Sequence, residues 1–346
     1  MNVGIMGCSG YAGRQLLNIL VMHKKVSLKA LSSNTYAGKE AKNIFKLSQY
    51  TGQLVIDSDV EFLNKATLCD VIFLALPHKT SMANTRKLLK LNSRLRIIDL
   101  SADYRFKDSM VYEKWYDCIH QDKENLDNSC YGLTEMNREK LSDTKIVGNP
   151  GCYPTSVLLG LLPILSFENL DLNSIIVDSK SGYTGAGVKP ESYKMLAEGI
   201  DNVYPYGGTE HRHVGEIENT IEKITQTKAF IQFIPNLIPV KRGIITNIYI
   251  NMKVKMTYSE VLSQYRTYYA KEKFVIVHDE IPKLSWSVGT NNCHIGLLVD
   301  ERTNRIIVTT TIDNLIKGAS GQAVQNMNVM FGFDEDEGLK YINQNI

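Results

Sequence analysis

Short apolar runs alternate with amphipathic segments over the first third of the chain. The run at 3–6 meets Gly7, and the segment at 11–21 that follows carries leucines at helical spacing. A continuous apolar run at 70–76 stops at Pro77, as expected for a strand that is buried on both faces. Further signals are strands at 26–31 and 96–100 and a helix at 80–91. Strands that alternate with helices predict an α/β domain with a doubly wound parallel sheet.

The pattern changes from about residue 151. Longer strand signals with few helices between them lie at 174–180, 228–234, 243–254, 293–299 and 305–312. This spacing predicts a mixed, largely antiparallel sheet in an α+β domain. A last helical signal begins near Leu315, and we expect it to return to the first domain, because an amphipathic terminal helix needs a surface to cover.

Length and composition exclude only a few classes of protein. A chain of 346 residues is usually long enough for about two domains. The net charge of +2 gives no reason to expect nucleic acid or an anionic membrane as a partner. No apolar run reaches the ~20 residues that span a bilayer, and the N-terminal segment lacks the basic and apolar regions of a signal peptide. We therefore expect a cytoplasmic protein.

Three glycines, Gly7, Gly10 and Gly13, form a GxxGxxG pattern where the first strand signal ends and the first helical signal begins. Glycines permit a tight turn, and a helix N-terminus offers unpaired N–H groups to an anion. The turn, which also contains Ser9 and Tyr11, therefore predicts a site for the pyrophosphate of a dinucleotide. An ordinary glycine-rich turn is the alternative, and the order of strand, turn and helix argues against it.

The end of the second strand signal bears on which dinucleotide binds. NAD sites usually place an acidic residue about 20 residues after the turn, where it holds the ribose hydroxyls. No acidic residue occurs between Gly13 and Glu40. A carboxylate there would repel a 2′-phosphate, whereas Ser32, Ser33 and Lys39 can bind one. The sequence therefore predicts NADP rather than NAD.

One cysteine stands in a reactive context. The six cysteines are Cys8, Cys69, Cys118, Cys130, Cys152 and Cys293. None forms a CxxC pair, so a zinc or redox motif has little support, and we expect most to be buried. Cys152 ends the segment GNPGC and precedes an apolar helical signal at 157–165. A cysteine at a helix N-terminus has a lowered pKa and a reactive thiolate, so we predict Cys152 as a nucleophile.

Two of the seven histidines lie in one short segment, EHRHVGEIE at 210–218. His211 and His213 flank Arg212, and Glu216 follows, so proton transfer and anion binding can be combined here. If the segment is extended, the two histidines lie on the same face. A polar surface loop is one alternative, and a zinc site, which lacks a third ligand nearby, is another.

Other polar residues follow strand signals. Arg105 comes after the strand at 96–100 and can bind a phosphate or carboxylate through two hydrogen bonds, or it can pair with Asp103 on the surface. His78 follows Pro77 at the C-terminal end of a strand, where ligands bind in doubly wound sheets.

A second glycine-rich loop begins after the strand signal at 174–180. It starts with Ser181 and Gly182 and can approach the nicotinamide or the substrate closely. Lys241 and Arg242, which follow two prolines, are further candidates for binding an anion.

Taken together, these segments resemble the N-acetyl-gamma-glutamyl-phosphate reductases of arginine biosynthesis. The matching segments occur in the family's order and span nearly the whole chain: GCSGYAG, LALPH, IDLSADYRF, VGNPGCYPTS, SGYTGAGVKP, EHRHVGEIE, FIPNLIPVKRG and NLIKGASGQAVQNMN. Aspartate-semialdehyde dehydrogenases share the fold and the cysteine chemistry, but their cysteine and histidine segments differ. One departure is Gly215, where many members of the family have proline.

The resemblance implies two domains and a reaction. An NADP-binding Rossmann domain at 1–150 is completed by a C-terminal helix at 314–346, and a catalytic and dimerisation domain spans 151–313. The implied reaction is the NADPH-dependent reduction of N-acetyl-gamma-glutamyl phosphate to N-acetylglutamate 5-semialdehyde plus phosphate, through a thioester on Cys152. No metal ion is implied, and the implied assembly is a homo-oligomer, either a dimer or a tetramer.

The resemblance also implies residue roles. His211 and His213 serve proton transfer and substrate orientation, with Glu216 supporting them. The predicted substrate-binding residues are Arg105, Asn149, Ser181, Tyr206 (with Tyr204 as its alternative) and Arg212. The predicted cofactor-binding residues are Gly7, Ser9, Gly10, Tyr11, Gly13, Ser32, Ser33, Pro77, His78, Gly182 and Asn314.

Two other functions remain open from the residues. The first is another acyl-phosphate reductase, acting on aspartyl phosphate or on a carrier-linked amino acid. The second is a protein that binds NADPH, or keeps a vestigial dinucleotide fold, without catalysis. The intact glycine turn, cysteine and histidines argue against the second.

Overall fold

The structure is a computed structural model that describes residues 1–47, 52–187, 202–340 and 342. The chain divides into two units, Met1–Pro150 with Ala319–Ile346, and Gly151–Gly318. The last three residues of the predicted SGYTGAGVKP segment, 188–190, lie outside the described residues.

The first unit, within the described residues, contains a six-stranded sheet with the order β2-β1-β3-β4-β6-β5. Its strands are β1 (Asn2–Met6), β2 (Ser27–Ser32), β3 (Val71–Leu74), β4 (Arg96–Asp99), β5 (Ser129–Tyr131) and β6 (Ile146–Gly148). All neighbouring strands are parallel. The four residues of β3 are buried, as their continuous apolar run predicted. The prediction of a doubly wound parallel sheet is confirmed.

Helices connect these strands. They are α1 (Tyr11–Leu20), α2 (Ala41–Phe45), α3 (Asp59–Ala66), α4 (Ser81–Leu91), α5 (Ser109–Tyr116) and α6 (Thr134–Leu141). The start of α3 is set by a capping box, in which Ser58 accepts the N–H of Glu61 and the Glu61 carboxylate accepts the N–H of Ser58. The start of α1, in contrast, has Gly10 as its N-cap and no side-chain cap.

The second unit, again within the described residues, contains a seven-stranded sheet with the order β11-β12-β13-β10-β7-β9-β8. Its strands are β7 (Leu170–Gly182), β8 (Tyr204–Pro205), β9 (Gln232–Ile238), β10 (Ile244–Met252), β11 (Val275–Val277), β12 (Cys293–Asp300) and β13 (Arg305–Ile312). The pairs β7/β9 and β11/β12 are parallel, and the other pairs are antiparallel. The predicted mixed, largely antiparallel sheet is confirmed.

One buried helix of the second unit lies directly on this sheet. The helices are α7 (Cys152–Leu161), α8 (His213–Thr225) and α9 (Tyr258–Tyr268). A side chain at Gly160 would come within 2.7 Å of Ile248 Cδ1, so α7 approaches β10 closely. The Ser156 hydroxyl also hydrogen-bonds Thr246 at 2.9 Å and Thr310 at 2.8 Å. Apolar packing and these buried hydrogen bonds together fix α7, and with it the position of Cys152.

The C-terminal helical signal forms two elements rather than one. A π-helical turn covers Ile316–Ser320, and α10 (Gly321–Met330) follows. The polar side chains of α10 are buried in the first unit, where Gln322 binds Thr134 and Asn326 binds the carbonyl of Gly132. Across the described residues, none of the helices is long and apolar enough to span a bilayer.

A buried ion pair follows β13. Arg242 Nη2 lies 3.2 Å from Asp313 Oδ1, and both side chains are almost inaccessible to solvent. The Asp313 carboxylate also accepts the backbone N–H groups of Leu315 and Gly289, each at 2.9 Å. The carboxylate therefore organises the chain that leaves the sheet toward the π-helical turn.

We expect Asp313→Ala to lower the free energy of unfolding by about 3–5 kcal/mol, because it leaves a buried guanidinium without its counter-charge. Urea unfolding measures the change. The control is Asp300→Ala, which removes the acid of an exposed ion pair with Arg302 and should cost about 0–1 kcal/mol. Equal losses in the two variants would contradict the structural role of Asp313.

Candidate active site

Cys152 is the first residue of α7. Its N-cap, Gly151, is extended (φ −68°, ψ 156°) and offers no side-chain cap, so this helix end keeps N–H groups for an anionic partner. Cys152 is half-buried, whereas Cys8 and Cys69 are buried. Burial raises the pKa of the Cys8 and Cys69 thiols to about 12, which keeps them protonated at neutral pH. Cys152 therefore combines a partly accessible thiol with a position at a helix N-terminus.

A buried carboxylate holds the backbone beside this cysteine. Glu216 Oε1 accepts the N–H of Gly151 at 2.9 Å, and Glu216 is only 1% exposed. Glu216 lies in the first turn of α8, so the contact joins the start of α8 to the start of α7. We expected Glu216 to support the histidines; the contact observed here joins Glu216 to the backbone that precedes Cys152.

The two predicted histidines lie in one aromatic cluster. The rings of His211 and His213 are 4.9 Å apart, and the Tyr153 ring lies 5.7 Å from His211 and 5.8 Å from His213. The ring centroid of Phe233, in β9, lies 5.2 Å from that of Tyr153 and 5.3 Å from that of His211. Tyr153 directly follows Cys152 in α7, so the cluster is attached to the helix turn that carries the thiol.

Tyr206 belongs to the same cluster. Its hydroxyl lies 2.9 Å from that of Tyr153, and its ring lies 5.7 Å from His211. Tyr204 pairs with Leu237 in the sheet instead. Ser181 is buried and hydrogen-bonds the Tyr153 side chain. The structure therefore brings Tyr206 and Ser181, two predicted substrate-binding residues, to the cysteine and histidine segments.

The histidine segment is only partly extended. His211 has an extended backbone, but Arg212 is helical and α8 begins at His213. The backbone N–H of His213 donates to His211 Nδ1 at 3.3 Å, which orients the ring and places the proton of the neutral imidazole on Nε2. Burial, with a smaller effect of the nearby Arg212 charge, lowers the pKa of His211 to about 4. His211 is therefore a neutral imidazole at pH 7.

Two predicted substrate-binding residues lie in the first unit. Arg105 is buried and donates from Nε to the Asn149 carbonyl at 2.7 Å and from Nη2 to the Leu100 carbonyl at 3.1 Å. The Asn149 amide donates to the Ala319 carbonyl and accepts from Asn326. Both residues therefore hold the chain at the end of this unit, in addition to any role toward substrate.

The glycine turn has the geometry of an anion cradle. Gly7 has φ +89°, and a Cβ there would lie 2.5 Å from the Ala75 carbonyl oxygen. A Cβ at Gly13 would overlap the Gly7 carbonyl, so α1 lies tightly against the turn. A Cβ at Gly10 would meet no atom within 4 Å, which leaves open space at the uncapped start of α1. The first turn of α1 also carries no acidic residue, and the cradle therefore fits a pyrophosphate.

Ser9, Tyr11, Ser32 and Ser33 surround this cradle. The Ser9 carbonyl accepts from the Arg14 side chain, and Tyr11 is the first residue of α1. Ser32 accepts the N–H of Gly7 with its hydroxyl at 3.2 Å. The Ser33 hydroxyl is buried and has no hydrogen-bond partner among the described residues, which leaves a polar atom for a ligand.

The remaining predicted cofactor residues lie in both units. In the first, Pro77 and His78 follow β3, and His78 Nδ1 accepts the N–H of Ala102 at 3.0 Å. In the second, Asn314 accepts the N–H of Gly243, just before β10, and donates to Thr184 in the loop that begins at Gly182. Both the oxygen and the nitrogen of the Asn314 amide are therefore hydrogen-bonded within the second unit.

Comparisons with known proteins agree with this geometry. Residues 2–144 match the family model described as semialdehyde dehydrogenase, NAD binding domain, and residues 152–314 match semialdehyde dehydrogenase, dimerisation domain. The N-acetyl-gamma-glutamyl-phosphate reductase of Geobacter metallireducens is 44% identical over 345 residues, 98% of each chain. The chain belongs to the N-acetyl-gamma-glutamyl-phosphate reductase family. The reductase of Campylobacter jejuni subsp. doylei is 40% identical, over 99% of this chain and 98% of the relative.

Solved structures share the fold of this reductase family. Aspartate semialdehyde dehydrogenase II from Vibrio cholerae has a TM-score of 0.72 at 16% identity, covering 96% of this chain and 98% of that one. Aspartate semialdehyde dehydrogenase with NADP from Candida albicans has a TM-score of 0.66 at 17% identity. The match covers 95% of this chain and 98% of that one.

Three residues of this reductase-family site are not predicted by sequence patterns. Tyr153 and Phe233 build the aromatic cluster, but an aromatic residue in an apolar segment carries no signal of that role. Gly318 lies against the nucleophile candidate, since a Cβ there would come within 2.8 Å of the Cys152 Cβ. The glycine-rich NLIKGASG segment is a sequence signal for such an approach, although it does not name the partner.

We expect Glu216→Ala to reduce kcat by about 100-fold with a smaller change in KM, because the start of α7 loses its support and Cys152 shifts. Glu216→Gln keeps an oxygen that can accept the N–H of Gly151, so it should recover much of the loss. The rate of Cys152 alkylation provides a readout that does not depend on turnover. Glu222→Ala on the same helix is the control, and an equal loss in that variant would argue against a specific role of Glu216.

We expect His211→Gln to make stability less sensitive to acid. The pKa of His211 is about 4 when folded and about 6.5 when unfolded, so the unfolded chain binds more protons between these values. Acidification from pH 7 to pH 5 therefore destabilises the unmodified protein through this group by about 2 kcal/mol. Calorimetry at both pH values should show a correspondingly smaller loss in the variant. An unchanged pH dependence would mean that His211 is not buried in its neutral form.

Proposed function

We propose that this chain catalyses the NADPH-dependent reduction of N-acetyl-gamma-glutamyl phosphate to N-acetylglutamate 5-semialdehyde and phosphate, a step of arginine biosynthesis. The observation that carries the proposal is the half-buried Cys152 at the uncapped start of α7, attached through Tyr153 to the cluster of His211 and His213. The reductase names of relatives that match along the whole chain support the same reaction.

The first chemical step is acyl transfer to the cysteine. Cys152 Sγ attacks the carbonyl carbon of the acyl phosphate, the bond from that carbon to the phosphate oxygen breaks, and a thioester forms. The thiol proton passes through a histidine of the cluster to the leaving phosphate, so no free proton is required. His211 Nδ1 accepts the N–H of His213, so its neutral form carries the proton on Nε2 and is suited to donate a hydrogen bond to the substrate; His213 is then the candidate acceptor of the thiol proton.

The helix start stabilises the charge that develops on the carbonyl oxygen. The N–H of Gly151 donates to Glu216, and Pro154 has no N–H. We therefore assign the N–H groups of Cys152 and Tyr153 to the oxyanion, assisted by the dipole of α7. Glu216 is a positioning residue in this scheme, because it holds the turn from which those N–H groups project.

The dinucleotide would be held by Gly7, Gly10 and Gly13 and, at the end of β2, by Ser32 and Ser33. When bound, NADPH would supply the hydride that reduces the thioester carbonyl. Release of the aldehyde breaks the C–S bond, so Cys152 leaves as a thiolate, which takes up a proton to complete the cycle. Apart from Cys152 and the histidine that moves the proton, the protein groups at this site only bind and orient the substrate.

The charged parts of the substrate require cationic and hydroxyl groups. Arg212 is exposed at the start of α8, and its charge adds to the field at His211. We assign Arg212, Arg105, Tyr206 and Ser181 to binding the phosphate and carboxylate groups. Guanidinium groups suit both anions because they donate two parallel hydrogen bonds.

We also propose a homo-oligomer, a dimer or a tetramer, in the cytoplasm. The seven-stranded sheet leaves Ile234 of β9 46% exposed and Leu298 of β12 50% exposed. Exposed apolar residues on a sheet are typical of a surface that another chain covers. The description of the matched domain as a dimerisation domain supports this assignment.

We expect Cys152→Ser to reduce the reverse reaction, NADP reduction by N-acetylglutamate semialdehyde and phosphate, by at least about 1000-fold. NADPH binding should be unchanged, because the glycine turn is intact. Absorbance of the reduced nicotinamide measures the reaction, and Cys118→Ser, at the other half-buried cysteine, is the control. Near-normal turnover in Cys152→Ser would overturn the thioester mechanism.

The same assay tests the substrate. A phosphate-dependent signal with the acetylated semialdehyde alone supports the proposed reaction. A signal with aspartate semialdehyde alone would keep the mechanism and change the substrate, and silence with both would favour a protein that binds NADPH without catalysis.

A further inference from the structure

Residues 77–80, which we call the β3 loop, are joined to the turn that follows β4. Asp103 in that turn is buried, and its Oδ1 accepts the backbone N–H of Lys79 at 2.8 Å. In the opposite direction, the backbone N–H of Ala102 donates to His78 Nδ1 at 3.0 Å. Hydrogen bonds in both directions therefore hold the β3 loop against this turn.

Lys79 has a backbone conformation that needs such support. Its φ is +75°, in the left-handed region that residues other than glycine seldom adopt. The side chain is exposed and reaches the Asp117 carbonyl, whereas the backbone N–H is bound by the buried Asp103 carboxylate. Such conformations cost free energy, cluster at ligand sites and persist where the surrounding structure holds them. Asp103 supplies part of that hold on Lys79.

The Asp103 carboxylate is itself held by two helices. Its Oδ1 also accepts the Tyr112 hydroxyl of α5 at 2.9 Å, and its Oδ2 accepts the N–H of Met82, in the first turn of α4, at 3.1 Å. The Asp103 carbonyl oxygen lies 2.7 Å from His120 Nε2. A buried carboxylate whose oxygens are occupied by donors from several elements has little freedom to move. The positions of α4 and α5 are therefore passed on to the β3 loop.

The β3 loop follows a strand end that touches the glycine turn. The N–H of Ala75 donates to the Met6 carbonyl at 2.8 Å, and a Cβ at Gly7 would lie 2.5 Å from the Ala75 carbonyl oxygen. The chain passes from β1 to β2 on one side and then to β3 on the other, and dinucleotides bind where the strand order reverses in this way. The adenosine half lies toward the end of the second strand. The β3 loop is therefore on the side of the nicotinamide half.

His78 gives the β3 loop a donor with a fixed direction. Because His78 Nδ1 accepts the N–H of Ala102, the neutral imidazole carries its proton on Nε2. The ring also packs edge-on against Tyr116 of α5, with the ring centroids 5.3 Å apart. Two contacts thus orient an N–H group of the kind that binds ribose hydroxyls and phosphate oxygens, both of which accept hydrogen bonds.

We propose that Asp103 is a positioning residue of the dinucleotide site, which holds the β3 loop, and with it His78, in the conformation that binds the nicotinamide half of NADPH. Asp103 does not touch the cofactor in this scheme and acts through the backbone of Lys79. The inference rests on the proposed function, because it takes the glycine turn as the dinucleotide site. It adds to that site a buried residue of the IDLSADYRF segment.

The test compares NADPH with adenosine 2′,5′-bisphosphate, which carries the adenosine half and lacks the nicotinamide half. Dissociation constants for the full chain without substrate are obtained from nucleotide fluorescence and by competition. Asp103→Ala removes the acceptor of the Lys79 N–H, so the β3 loop loses its support. NADPH should bind about tenfold more weakly, whereas adenosine 2′,5′-bisphosphate should stay within about twofold of its affinity for the unmodified protein.

A second pair of variants tests the same hydrogen bond from the exposed loop. Lys79→Pro removes the N–H and cannot adopt φ +75°, so it should weaken NADPH as selectively as Asp103→Ala does. Lys79→Gly removes the same side chain, keeps the N–H and adopts this φ freely, so it should weaken NADPH by less than about threefold. The difference between proline and glycine measures the role of the backbone separately from that of the lysine charge.

Asp122→Ala is the matched control for Asp103→Ala. Asp122 is also buried, and it accepts the Tyr104 hydroxyl and the Asn125 amide, away from the β3 loop. The variant removes a carboxylate from the same unit, and both ligands should keep their affinities within about twofold. Thermal unfolding shows whether each variant is folded, and if Asp103→Ala is not, the proline and glycine variants at Lys79 decide the test.

The outcomes separate the inference from the proposed function. Weakening of both ligands to the same degree in Asp103→Ala and Lys79→Pro, or of neither, overturns the positioning role and leaves the reductase proposal standing. The same selective loss of NADPH in Asp122→Ala also overturns that role. An unmodified protein that binds neither ligand overturns both proposals.

Discussion

The candidate active site depends on one hydrogen bond, from the N–H of Gly151 to the buried carboxylate of Glu216. Gly151 is the N-cap of α7 and has no side chain with which to cap it, so the geometry of the turn must be held from elsewhere. Glu216 does this from α8, the helix that also begins with His213. Together with the ring contact between Tyr153 and His213, this hydrogen bond fixes the helix end that carries Cys152 relative to the helix that begins at His213, and a displacement of either helix would move the thiol relative to the histidines.

Burial gives chemically similar residues different properties in this chain. The Cys8 thiol, buried below the glycine turn, has a pKa raised to about 12 and remains an apolar packing group. Cys152 keeps access to solvent and to a helix N-terminus, the environment in which thiolates are favoured. Burial acts in the opposite direction on His211, whose charged form is the protonated one, and makes it neutral. The same physical effect thus keeps the Cys8 thiol protonated and the His211 imidazole neutral.

Periodicity predicted most of the fold, because strand and helix signals arise from neighbouring residues. The strand at 305–312 was predicted with its observed bounds, and the β3 signal was longer than the strand only by flanking residues. The C-terminal helix was predicted to begin near Leu315, yet a π-helical turn precedes α10. That turn is the place where Gly318 lies against Cys152, a constraint from the fold that helical spacing does not encode.

The residues that sequence reasoning placed least well are those whose partners are distant in the chain. No acidic residue follows β2 before Glu40, whereas Asp59, the first residue of α3, accepts the Ser32 hydroxyl from a later helix. The partner of Glu216 was sought among the histidines beside it, whereas one partner is Gly151, 65 positions away. Motifs record which groups a site needs, but tertiary packing decides which charge faces which group.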